Sequence, residues 1–173
     1  MELWDIYDID RTKTDLLAER GQPLAEGQYH LVVHICIFNS RGELLIQQRQ
    51  PWKKGYPNLW DVSAAGSALA GENSAAAAER ELREELGLSR SFRNVRPFLT
   101  VHFPRGFDDF YLVEQDADLA SLRLQPEEVK DAKWASLEEI ETMLDKKTFV
   151  PYYRDFLRLL FCMRKRRGST TEE

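Results

Sequence analysis

From Tyr29 to Gln50 the apolar positions come in two β-rich bursts within "YHLVVHICIFNSRGELLIQQRQ", separated by Asn39, Ser40, Arg41 and Gly42. Two such runs around a short turn-forming stretch predict a hairpin. Upstream, "LWDIYDID" (Leu3 to Asp10) alternates as a first strand, and "RTKTDLLAERGQPLAEG" reads as a polar connection. After the hairpin, "PWKKGYPNLWDVSAAG" predicts a loop and a short strand, and then the period changes. A helical pattern starts after Asn73 or Ser74, both good N-caps, and stops at Gly87, a natural C-terminal glycine. "FRNVRPFLTVHF" and "DDFYLVEQ" predict two more strands about a Pro104-Arg105-Gly106 turn, and "KDAKWAS" predicts a further short one. Ser136 caps a helix to about Asp145, and "VPYYRDFLRLLFCMRKRR" forms a last helix with Pro151 near its first turn. Strands before, between and after helices predict an α/β layered domain with a mixed sheet.

Composition narrows this picture. A chain of 173 residues, 43% hydrophobic and 11% aromatic, can bury one sizeable core, so a single domain over residues 1–173 is expected. The net charge of -5 supplies no general basic field, which argues against nucleic acid or an anionic membrane as partner. A phosphate-bearing ligand would need a local site. Cys36 and Cys162 sit in apolar runs without metal-type or disulfide-framework spacing, and are expected to be buried thiols of a reducing cytoplasm. "MELWDIYDID" lacks the basic and apolar regions of an export signal, and no apolar run approaches the roughly 18 residues needed to span a bilayer. In the basic and polar tail, 164–173, the run from Arg164 to Arg167 complements the dipole of the preceding helix.

The candidate chemistry lies in "GSALAGENSAAAAERELREELGL", Gly66 to Leu88. At about 100° per residue, Glu81, Glu84 and Glu85 share one face of the helix, while Ala75, Ala78, Leu82 and Leu86 form a separate apolar stripe. Pairs Glu79–Arg83 and Arg80–Glu84 at i,i+4 would make this a solvated, ion-paired face, each pair contributing about 0.2–0.5 kcal/mol. Glu81–Glu85 and Glu81–Glu84 are like-charge neighbours that cost a similar amount. A divalent cation gives the cluster a purpose, since hard oxygen ligands from one helical turn suit magnesium with phosphate oxygens completing its shell. Both readings stand on composition alone.

Gly66, Glu72, Arg80, Glu81, Leu82, Glu84, Glu85, Gly87 and Leu88 match every defined position of the Nudix box, and the chain is identified by them as a resemblance to the Nudix hydrolase family. The resemblance implies an α/β/α sandwich with a mixed sheet. It implies Glu81, Glu84 and Glu85 as ligands of Mg2+, or Mn2+ in its place, with the Gly66 carbonyl joining them. Arg80 would orient a carboxylate of its own helix, and Glu72 would fix the loop. The implied activity is hydrolysis of a diphosphate linkage in a nucleoside diphosphate derivative or similar organic diphosphate, by a water the metal activates. Glu81 and Glu84 are the candidates to take its proton.

Residues His30 to Leu88 resemble most the isopentenyl-diphosphate isomerases and the hydrolases similar to them. Isomerisation requires a cysteine acid, and Ala65 stands at its position, with Ser67 at that of a histidine. The second isomerase acid falls near Asp108 or Asp109, and His30 matches an isomerase metal-ligand position. All three box glutamates are present, which favours a hydrolase over an isomerase and over a catalytically silent binding module. Arg49, Lys53, Lys54 and Trp60 are candidate substrate contacts near the box, with Trp52 and Tyr56 beside them. Asp109 and Glu128 are candidate extra carboxylates. The expected partner is a small diphosphate, with the protein a monomer or homodimer.

Overall fold

A computed structural model describes residues 2–166 and 168–170. Its first two strands, β1 (Leu3–Tyr7) and β2 (Lys13–Glu19), pair antiparallel as a separate two-stranded sheet. Part of the polar connection expected after Leu3–Asp10, residues Lys13–Glu19, is therefore strand. Lys13, Asp15, Leu16 and Leu17 are all exposed, so β2 has no buried face to impose an apolar period, and backbone pairing alone defines it.

The main sheet has seven strands. The predicted hairpin is present as β3 (His30–Phe38) and β4 (Leu44–Arg49), yet the two strands are in register only at Phe38 and Leu44. Beyond that point they diverge. On the side of β3 that β4 leaves, β6 (Ala64–Ser67) pairs antiparallel, from Val32 with Ser67 to Ile35 with Ala64. Strand β4 instead takes β5 (Trp60–Asp61) and β9 (Val129–Ala135) as antiparallel neighbours. The other side of β3 pairs in parallel with β8 (Gly106–Glu114), which forms an antiparallel hairpin with β7 (Leu99–Phe103). Gly106 thus belongs to a strand, leaving Pro104 and Arg105 in the turn.

Both faces of this sheet are covered. Helix α1 (Ser74–Leu86) packs Ala77, Ala78, Leu82 and Leu86 on Leu31, Val33, Ile35 and Ile37, the odd positions of β3. On the other face, α2 (Leu137–Asp145) and α3 (Arg154–Met163) bury Ile140, Leu157 and Leu160 against Cys36, Phe38 and Ile46. Period-two alternation in β3 therefore feeds two apolar layers, giving the α/β/α sandwich. Helix α3 begins after Tyr153, so Pro151 precedes its first turn. Cys36 is buried and its thiol is pushed well above the ordinary range by that burial, whereas Cys162 is exposed, contrary to expectation. A helix shows solvent one face, and Cys162 falls on that face of α3. In the tail, Lys165 pairs with Glu114 at 3.2 Å and Arg164 donates to the Phe161 carbonyl at the end of α3. Arg167 and residues 171–173 lie outside the described residues. Among the described residues, no helix is long and apolar enough to cross a membrane.

Candidate active site

Helix α1 is fixed at both ends by local chemistry. The Asn73 side chain accepts from the Ala76 N–H at 2.9 Å, and Gly87 takes a left-handed φ of 68° while its N–H reaches the Arg83 carbonyl. That glycine is required, because a Cβ there would lie 2.6 Å from Cβ of Arg123. Burial of Leu82 and Leu86 then sets the rotation of the helix and turns Glu81 and Glu85 toward β6.

Arg80 organises the carboxylates. Its guanidinium donates to both oxygens of Glu72 at 2.8 and 3.0 Å, to Glu81 at 2.8 Å, to Glu84 at 3.0 Å and to the Ser67 carbonyl at 2.9 Å. Glu72 also accepts from the Leu69 N–H at 2.9 Å, which ties the loop before the helix to the same hub. Arg80 thus contacts two carboxylates of its own helix, and Glu72 links that hub to the loop before it. The expected Glu79–Arg83 pair does not form, because Glu79 instead accepts from the Phe92 N–H at 2.7 Å and the Ser91 hydroxyl at 3.0 Å, anchoring the loop after the helix.

The three box glutamates differ in environment. Glu85 is buried and accepts at one oxygen, Oε2, from the Gln47 amide at 2.8 Å and the Ala65 N–H at 3.0 Å. Burial, followed by the charge of Glu81, pushes its carboxyl up to about 8. Burial likewise raises Glu81, with Arg80 opposing. Glu84 is 43% exposed. Gly66 faces Glu81 so closely that a Cβ would lie 2.0 Å from its Oε1, so a larger residue there would push that carboxylate away from β6. This donor set fits a divalent cation: hard oxygens and adjacent like charges held partly out of water. Among the described residues, no three His, Cys, Asp or Glu side chains already form a closed metal cage.

The glutamates and Gly66 line a cleft of about 670 Å³ where β3 and β4 part. Arg49 and Lys53 line it too: Arg49 donates to Asp61 at 3.3 Å and to the Gly55 carbonyl at 3.0 Å, and Lys53 pairs with Glu128, which is also in the wall. Burial, and then Arg49, lowers the Lys53 ammonium below its ordinary value. His30 lines the cleft as well, stacked on Trp4 with ring centroids 4.2 Å apart. Its buried Nδ1 has no hydrogen-bond partner, and burial lowers its proton affinity.

Three candidates stand elsewhere. Lys54 is exposed and outside the cleft lining. Trp60 packs on the second core with the Lys133 ammonium 5.0 Å from its ring centroid, as its place in a strand dictates. Asp109 is fully buried, where it pairs with Arg11 and accepts from Thr100 at 2.6 Å and Ser74. It is a structural anion. The neighbouring Asp108 points the other way along the strand and meets His34 Nε2 at 3.0 Å.

His34, Asp61 and Tyr152 were not anticipated. All three line the cleft, and the Tyr152 hydroxyl donates to Asp61 at 2.9 Å, continuing the link from Arg49. Burial, then Asp61, holds the Tyr152 phenol well above its usual range. The signal for His34 was available: His30, Val32 and His34 recur with period two opposite the core positions of β3. Tyr152 arrives from the segment before α3, and no local pattern links it to the cleft.

Comparison with known proteins accords with this geometry. The family model described as NUDIX domain matches residues 28–160. An uncharacterized Nudix hydrolase of Listeria innocua is 48% identical over 161 residues, 93% of this chain and 94% of that protein. An isopentenyl-diphosphate Delta-isomerase of Streptomyces coelicolor is 33% identical over 164 residues, 91% of this chain and 81% of the other. A crystal structure from Deinococcus radiodurans shares the fold, with a TM-score of 0.73 at 24% identity, covering 92% of this chain and 97% of that one. By motif, fold and sequence, the chain belongs to the Nudix family and is a Nudix hydrolase.

Proposed function

We propose that the protein is a single-domain, Mg2+-dependent hydrolase of the diphosphate linkage in a nucleoside diphosphate derivative or a similar organic diphosphate. The observation that carries this reading is the Arg80 hub. One guanidinium aligns Glu81 and Glu84 beside Gly66, with Glu85 one helical step away and Arg49 and Lys53 across the same cleft.

Glu81, Glu84, Glu85 and the Gly66 carbonyl would hold the cation, Mn2+ serving in place of Mg2+. When bound, it neutralises diphosphate oxygens and makes a nearby water more acidic. The remaining work falls to the chain. Arg49 and Lys53 are the cations suited to contact the diphosphate, and Asp61 and Glu128 hold them in place. Glu81 or Glu84 accepts the proton of the attacking water. Gln47 and the Ala65 N–H keep Glu85 from swinging away. Ala65 offers the cleft no side-chain proton, which supports hydrolysis over double-bond isomerisation.

Assay of nucleoside di- and triphosphates, nucleotide sugars, dinucleotides and isopentenyl diphosphate with Mg2+ tests the proposal. Release of phosphate or nucleotide is expected from at least one, with Glu81→Gln and Glu85→Gln losing at least a hundredfold in kcat. No release from any substrate, or full activity in both variants, would refute it. Double-bond migration in isopentenyl diphosphate would move the assignment to an isomerase.

A further inference from the structure

We infer that a second chamber, divided from the cleft by Tyr56 and Tyr152, receives the organic group of the substrate, and that this group is apolar. The inference rests on the diphosphate hydrolase reading and extends it to substrate class. The chamber is a groove open to solvent on one side, with a volume of about 490 Å³, and it shares Tyr56 and Tyr152 with the cleft that holds the glutamates. Its other walls are Leu59, Leu144, Phe149 and Pro151, with the cations Lys147 and Arg154 and no carboxylate. That size is within the range of small-molecule sites.

Tyr56 is the second and independent observation. It is 52% exposed, and its backbone is left-handed at φ 48°, an unfavourable conformation for a residue that also precedes proline. The loop nevertheless holds it there. Arg49 Nε donates to the Gly55 carbonyl at 3.0 Å, Gln48 to the Asn58 carbonyl at 3.0 Å, and Lys130 to the Asn58 side chain at 3.0 Å. A strained, pinned loop that displays an aromatic ring between two cavities is explained by a ligand passing that ring.

The lining decides the chemistry. Reading a polar base edge or a sugar requires a set of buried donors and acceptors, such as amides and carboxylates. This chamber offers aliphatic and aromatic contact area instead. Of its two cations, Arg154 is already engaged by Asp145 and Glu141. An alkyl diphosphate is the simplest diphosphate with an apolar group. Attack of water oxygen on its terminal phosphorus forms one P–O bond and breaks the bridging P–O bond. The products are alkyl monophosphate and inorganic phosphate, and the protons of the water pass to the phosphate products or to solvent.

The test is a series of methyl, butyl and octyl diphosphate with Mg2+, read as phosphate release, in the parent and in Tyr56→Ala and Leu59→Gln. In the parent, kcat/KM should rise about fourfold per methylene until the chamber is filled. Each variant should reduce the octyl-to-methyl ratio at least tenfold. A flat series, or a ratio unchanged in both variants, overturns the inference while leaving diphosphate hydrolysis intact. Turnover of no diphosphate at all refutes the hydrolase reading instead, and the chamber is then decided by calorimetry with octyl phosphate. Binding weakened at least tenfold by Tyr56→Ala supports it, and equal binding in parent and variant overturns it.

Discussion

Arg80 concentrates more of the site's geometry than any of the carboxylates it holds, because its planar fork satisfies Glu72, Glu81, Glu84 and the Ser67 carbonyl together. Lysine carries the charge but not the fork. On the proposed metal-dependent reading, Arg80→Lys should therefore weaken Mg2+ activation by about 10- to 100-fold, the usual cost of losing a residue that orients metal ligands. A Mg2+ titration of kcat checks this, and an unchanged activation constant would disprove the role. His30 makes a separate prediction at the same scale. Burial lowers its pKa from an ordinary 6.5, so the unfolded chain takes up the proton first as pH falls below about 6.5. The contribution of His30 to stability is full above that value and is lost on acidification. His30→Phe keeps a ring on Trp4 and should flatten the fall in Tm between about pH 6.5 and 5 relative to the parent. Parallel Tm curves would show that His30 does not titrate as its buried setting requires.

At the scale of elements, the box helix was the most legible part of the chain. Its cap at Asn73, stop at Gly87, apolar stripe and glutamate face all follow from side-chain chemistry within four residues along the sequence. Asn73→Ala should cost about 1 kcal/mol. Gly87→Ala should cost more, since it adds a left-handed backbone penalty to a Cβ 2.6 Å from Arg123. Urea denaturation monitored by circular dichroism ranks the two, and the reverse order would contradict the crowded C-terminus. Strands β3 and β4 were legible as a hairpin, but their divergence was not, because it depends on β6 and β5 competing for edges of the same strands. That divergence opens the cleft, so Asp61, Tyr152 and His34 meet through pairings no local pattern encodes. For the same reason Asp108 and Asp109 could not be told apart until the pleat of β8 assigned one to each face.

For the whole molecule, the site sets stability against activity. Without a cation, Glu81 and Glu85 are neighbouring carboxylates held largely out of water. On the proposed metal-dependent reading, chelation should lower Tm at pH 8, and added Mg2+ should restore it as binding to the folded state alone predicts. Glu85→Gln removes one buried charge and keeps the shape. It should raise the metal-free Tm by several degrees while abolishing turnover, the usual trade between a strained site and a relaxed one. Thermal scans with and without Mg2+ measure both effects, and a metal-free variant less stable than the parent would show that Glu85 is not a source of strain.

The pairing of Arg11 with buried Asp109 has a consequence for where this protein begins as a folding unit. The family match starts at residue 28, yet Arg11 neutralises an anion sealed inside β8, and Glu2 and Arg20 line the cleft. Trimming the chain to the shared domain would strand a charge in the interior and remove part of the wall around the glutamates. The stretch matched by the family model and the stretch that must fold together are different lengths here, and the leading hairpin belongs to the second.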